Sequence, residues 1–197
     1  MDVKIKQALK EWNIAVKALE AGETILLLRK GGIREQGGKF SVEHQQVLLY
    51  PTFEHQQPDL LLPEYASQVQ PVSSGWHPKT VKISSWAEIT DILSIETQQA
   101  EMLISELLPF LIWNEQFVRE RLQFKPQKPL FLLLLKPYKL SQVDEIPYHP
   151  SYGGCRSWIE LQEDISIQNS ISVWEETEYQ TLCAEIRQLL MQPEKSD

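Results

Sequence analysis

LFLLLLKPYKL, residues 130–140, is the stretch on which the fold turns. Its first six residues form the longest purely apolar run in the chain. Six residues are far too few to cross a bilayer, which takes about 20 in a helix. A continuous apolar run of this length reads as a strand buried on both faces, hence interior to a sheet. KPQKP (125–129) precedes it as a linker. A second apolar strand, TILLLRK (24–30), follows the turn Ala21-Gly22-Glu23. Working outward, FSVEHQQVLLYP (40–51) reads as a strand or bulged strand stopped by Pro51. TVKIS (80–84) reads as a short alternating strand and CRSWIEL (155–161) as the last one, after the turn YHPSYGG.

Helices fill the rest. Ile5, Leu9, Trp12, Val16 and Leu19 fall at helical spacing, although Trp12, Ile14, Val16 and Ala18 also alternate as in a strand. The preferred reading is a short helix, then a hairpin. Ser85-Trp86-Ala87-Glu88 has the form of a capping box and predicts a helix start. Asn114 predicts the cap of a helix over EQFVRERLQF. Tyr179, Leu182, Cys183, Ile186, Leu189 and Leu190 give the apolar stripe of a terminal helix over about 175–191. Residues 56–79 contain Pro58, Pro63, Pro71 and Pro78 and predict a long irregular excursion. The sum is an α+β fold. A mixed, mostly antiparallel sheet carries a helical middle segment and a C-terminal helix packed on it. The chain of 197 residues is expected to form one domain.

Net charge is −8 but patchy. Residues 1–40 carry eight Lys/Arg against five Asp/Glu, and residues 115–140 carry six against two. Residues 41–114 carry two against nine, and residues 141–197 three against eleven. A globally basic nucleic-acid binder is therefore not indicated, while a local basic face is. The segment MDVKIKQALKEW lacks the apolar core of a signal peptide, and the expected location is the cytoplasm. Cys155 and Cys183 form no CxxC pair and read as reduced, buried thiols.

EWNIAVKAL, LLLRKGGIRE, EH with LYPTFEHQ, IW with the following Phe and Arg, the apolar strand into YKL, and GCRSWIEL recur here in one order. Together, over roughly residues 8–165, they resemble an uncharacterised bacterial family known as domain of unknown function 1802. The resemblance implies no established activity. The family pattern has a His before Ile112-Trp113, where this chain has Leu111.

Several residues are candidates for chemistry. Lys30 and Arg34 flank the glycine-rich turn Gly31-Gly32, where exposed backbone N–H groups would suit an anion. Neither phosphate-loop pattern is present, so a plain basic hairpin turn is the simpler reading. Arg156 and Trp158 alternate onto one strand face, where an Arg and an indole can stack on a base. Tyr50 offers another stacking surface, and Arg119 or Arg121, on different sides of a helix, a further cation. Glu35, His44, Glu54 and His55 are candidate catalytic groups. His44 and His55, with Glu54 and with His149 or Cys155 completing the set, are weak candidates for a divalent metal. HExxH is absent, and no Glu-x-Lys lies on an expected strand, as a two-acid nuclease core requires. No motif fixes a cofactor.

Three functions follow. The first is a module binding an anionic ligand, a nucleotide or nucleic-acid segment, through Lys30, Arg34, Tyr50, Arg156 and Trp158. The second is a hydrolase or phosphodiesterase-like enzyme using His44, Glu54 and His55. The third is a protein-interaction module contacting a partner through the acidic C-terminal helix.

Overall fold

A computed structural model describes residues 3–31, 33–36 and 39–191, with the backbone alone described at 34–36 and 39–41. The strands are β1 (Lys4–Trp12), β2 (Leu26–Arg29), β3 (Arg34–Gln36), β4 (Lys39–Ser41), β5 (Gln46–Thr52), β6 (Thr80–Ile95), β7 (Leu130–Pro147), β8 (Trp158–Ser166) and β9 (Ile171–Ser172). The helices are α1 (Asn13–Ala21), α2 (Pro63–Ala66), α3 (Thr97–Met102), α4 (Ile104–Leu107), α5 (Glu115–Gln123) and α6 (Glu176–Met191). The fold is α+β, with one mixed, mostly antiparallel sheet in the order β2-β7-β6-β5-β1-β8. β9 lies beside the far half of β7, and β3 and β4 form a separate small hairpin. β1 and β5 are the parallel pair.

β7 is interior, as its apolar run predicts. Leu130 to Leu135 are all buried, paired with β6 on one side and with β2 on the other. β6 and β7 pair from Thr80↔Pro147 to Ile95↔Leu130, and the helices α3 to α5 are inserted between their tips. Asn114 caps α5 as predicted: its Oδ1 accepts from the Phe117 N–H at 3.2 Å. Gly22 ends α1 at φ 72°, where its N–H and that of Glu23 return to Leu19 and Ala18 carbonyls. A left-handed residue is needed there, and glycine takes it without a Cβ clash. The C-terminal helix spans Glu176–Met191 and buries Tyr179, Cys183 and Ile186 against the sheet.

Three expectations are corrected. Residues 4–12 form an edge-side strand, and the helix begins only at Asn13. Ala8 and Leu9 face opposite sides of the sheet, which both have cores, so an apolar residue is needed at each and the helical spacing is coincidental. The SWAE segment is not a helix start either. It lies inside β6, where Trp86 pairs with Tyr138 and stacks on it at 4.3 Å. Cross-strand packing overrides the local capping pattern. The segment 40–51 is also divided, since β4 ends at Ser41 and β5 starts at Gln46.

Both sheet faces are covered. The larger core lies under α1, α5 and α6; the second joins Ala8, Leu48, Tyr50, Ile83, Trp86, Leu140, Leu161 and Ile165. The sheet curls to form this second core, and β8 approaches β7. Among the described residues no helix is long and apolar enough to cross a membrane.

Candidate functional site

The parallel pair β1 and β5 places Lys10 beside Tyr50, Glu11 beside Pro51 and Trp12 beside Thr52. A cleft of about 570 Å³ opens at these carboxyl ends. The segment Gly75–Pro78 forms one wall and the segment Gly153–Ser157 another, while Arg29 and Arg121 reach it from β2 and α5.

The floor holds a buried ion pair. Arg29 Nη2 lies 2.7 Å from Glu11 Oε2, and the residues are 7% and 8% exposed. The same nitrogen donates to the Lys10 carbonyl at 3.2 Å. Glu11 Oε1 accepts from the Trp12 N–H at 2.8 Å, so both carboxylate oxygens are committed. Arg29 Nε is buried without a partner. Arg121 faces the same cleft with its guanidinium 4.8 Å above the Phe117 ring. It makes no hydrogen bond or ion pair to a described residue. Burial, and then the like charge of Arg29, lower its pKa. A half-buried guanidinium with unused planar donors is suited to a carboxylate or phosphate.

Lys10 is wrapped by the turn before β8. Its Nζ donates to the Tyr152 carbonyl at 2.6 Å and to the Gly154 carbonyl at 2.8 Å. An ammonium has three donors, so one is left over. Desolvation lowers the Lys10 pKa. Gly153 makes the wrap feasible, because a Cβ there would sit 3.0 Å from the Tyr148 hydroxyl. Tyr50 packs edge-on against Tyr152 at 5.6 Å. Its hydroxyl has no hydrogen-bond partner among the described residues, and burial raises its pKa well above the usual range. It is therefore a neutral donor at any ordinary pH.

The Gly75–Pro78 wall is a strap fastened at three points. Glu54 Oε1 accepts from the Gly75 N–H at 2.6 Å and from Ser74 Oγ at 3.3 Å. Phe53 meets Trp76 edge-on at 5.9 Å, and His77 stacks on Tyr148 at 3.6 Å. His55 Nε2 lies 3.3 Å from the same Glu54 oxygen. His55 holds φ 64°, a left-handed conformation that costs a non-glycine residue roughly 1 kcal/mol or more. Trp76 remains 43% exposed, an open indole face at the cleft mouth. The Gly75 N–H is the main cause that lowers the Glu54 pKa.

Of the residues singled out in sequence, Tyr50, Glu54, His55, Arg121, Cys155 and Arg156 line this cleft. Arg156 lies in the turn before β8, not on the strand, so it and Trp158 do not share a strand face. Trp158 pairs with Leu9 and packs on the larger core. Cys155 is exposed in the cleft rather than buried, because β8 starts only at Trp158; Cys183 is buried as expected. Lys30 is 4% exposed and donates to the Lys128 carbonyl at 2.6 Å, away from the cleft. The backbones of Arg34 and Glu35 lie in β3, and their side chains fall outside the described residues. Arg119 is paired with Glu115 on the outer side of α5.

His44 precedes β5 and His55 follows it, at opposite ends of a seven-residue strand. Such a strand spans about 20 Å or more, so the two imidazoles do not meet. Among the described residues no three His, Cys, Asp or Glu converge as a metal set. Sequence reasoning misses Lys10, Glu11, Arg29, Trp76 and His77. The one available signal is ionic residues set inside apolar strands, as with Arg29 at the end of LLLR.

No curated protein matches the chain. Three crystal structures match over nearly its whole length at low identity. ASCH from Zymomonas mobilis is 15% identical, with 90% of this chain and 93% of that one covered and a TM-score of 0.46. A serine-to-alanine mutant of that protein is 14% identical, covering 93% and 98%, with a TM-score of 0.41. A tyrosine-to-phenylalanine mutant is 13% identical, covering 90% and 96%, with a TM-score of 0.44. The family model described as Domain of unknown function (DUF1802) matches residues 8–185, most of the chain, and the protein belongs to that family.

Proposed function

We propose that the cleft at the ends of β1 and β5 binds a nucleotide unit, free or within a nucleic-acid segment. The observation that carries this reading is Arg121, a half-buried guanidinium without a described partner, aimed into a cleft that already holds Arg29 and Lys10. Phosphate would lie against Arg121, the spare Lys10 donor and Arg156. A base would lie against the Trp76 indole or the His77–Tyr148 stack. The cleft carries four cationic side chains against two carboxylates, inside a chain of net charge −8. Local potential, not overall charge, then selects the ligand.

A hydrolase centred on Glu54 and His55 has less support, because the Glu54 carboxylate already serves the Gly75 and Ser74 donors. A protein partner on the acidic face of the C-terminal helix has less support as well, since that face offers exposed carboxylates while Tyr179, Cys183 and Ile186 are buried against the sheet. The test is a titration of fluorescent oligonucleotide and of free nucleotide at two salt concentrations. Binding that weakens with salt supports the reading. Affinity unchanged by salt, or no binding, would count against it.

A further inference from the structure

Building on the nucleotide reading, we infer that the cleft recognises a terminal phosphate, a phosphomonoester dianion, rather than an internal phosphodiester. The argument is a balance of charge and donors. Lys10, Arg29, Arg121 and Arg156 face Glu11 and Glu54, a net of +2 among the charged lining residues. Both carboxylates are engaged, Glu11 by Arg29 and the Trp12 N–H, and Glu54 by Gly75 and Ser74. Neither makes a hydrogen bond to Arg121 or Lys10, although Glu11 acts on Arg121 and Glu54 on Lys10 through space, so the lining keeps its net of +2.

A phosphodiester brings one negative charge and two non-bridging oxygens. A monoester brings about −1.5 to −2 at pH 7 and three acceptor oxygens. The floor offers donors to match the larger group: the Arg121 fork, the Arg29 edge not used by Glu11, the third Lys10 N–H and the Tyr50 hydroxyl. Tyr50 lines the cleft, its hydroxyl has no hydrogen-bond partner among the described residues, and a phenol O–H can donate to an anion. The β1–β5 pair closes the floor behind these groups. A chain end needs only to enter such a site, whereas a continuous strand must enter and leave.

The experiment compares one labelled single-stranded oligonucleotide with a 5′-phosphate, a 3′-phosphate or two free hydroxyl ends. A nucleoside monophosphate, its nucleoside and inorganic phosphate serve as competitors. A phosphorylated end should bind at least about tenfold more tightly than the hydroxyl-ended strand. That preference should shrink as pH falls below about 6, where the second phosphate proton returns. Tyr50→Phe should reduce the preference and Arg121→Ala abolish it. Arg119→Ala, on the outer side of α5, should leave it intact. Competition by the monophosphate but not the nucleoside supports the inference with a free nucleotide as its source. Equal affinity for all three ends, with binding retained, overturns the terminal-phosphate inference and leaves the nucleotide reading standing. Absence of binding by every probe overturns both.

Discussion

Glu11 and Arg29 form a buried ion pair at the cleft floor, with 2.7 Å between Oε2 and Nη2. It ties β1 to β2 across the sheet, since Arg29 Nη2 also reaches the Lys10 carbonyl. Removing one partner of a buried pair leaves the other charged, desolvated and alone. Arg29→Met should therefore destabilise the protein by about 3–5 kcal/mol. Glu11→Leu combined with Arg29→Met should recover most of that loss. Urea unfolding of the two single variants and the double variant measures it, and a double variant as unstable as the singles would contradict the account.

Arg121 is the opposite case, a cation with no hydrogen-bond or ion-pair partner among the described residues. Its removal should leave stability within about 1 kcal/mol, since only the contact with Phe117 is given up. Nucleotide affinity should fall by about 1.5–3 kcal/mol, the range for a hydrogen bond to a charged group. The slope of log affinity against log salt should decrease by about one. Arg119→Ala should change neither quantity.

The strap gives a pH dependence with a definite sign. The Gly75 N–H lowers the folded-state pKa of Glu54, and His55, Ser74 and Lys10 act in the same direction. The contribution is fully present above the unfolded value of about 4.3 and is lost as pH falls through the lower folded value. Acid should release the strap, seen as a change in Trp76 fluorescence below about pH 4.3. Glu54→Gln should abolish that transition, and Trp76→Phe should remove the signal.

Asn114 does two jobs at the start of α5. Its Oδ1 accepts from Phe117 and its Nδ2 donates to the Asp59 carbonyl at 2.7 Å. Asn114→Ala should cost about 1–2 kcal/mol by thermal unfolding. Asn114→Asp keeps the cap oxygen and loses the Nδ2 donation to the Asp59 and Leu61 carbonyls, so its stability should fall between those of the wild type and Asn114→Ala.

Local signals carried much of the fold. The unbroken apolar run of β7, the Gly22 stop, the Asn114 cap and the stripe of α6 each have a cause within a few residues. The errors arise where tertiary pairing decides. β1 passes into α1 at Trp12–Asn13 without an intervening turn, and Ser85–Glu88 is held in β6 by Trp86 on Tyr138. The site was less legible for the same reason. Tyr50, Glu54, His55 and Arg156 stand near turns and attract notice. Lys10 is completed by Tyr152 and Gly154 more than 140 residues away, and Arg29 by Glu11 on another strand. Nothing local marks those partners.

The most direct test of the cleft as a nucleotide site is a titration of the ¹⁵N-labelled protein with a nucleoside monophosphate, followed by backbone amide shifts. The account predicts saturable shifts concentrated at Lys10–Trp12, Tyr50–His55, Gly75–His77 and Gly153–Ser157, and their loss in Arg121→Ala. Shifts centred instead on the outer face of α6 or on the β3–β4 hairpin, or none at millimolar nucleotide, would contradict it.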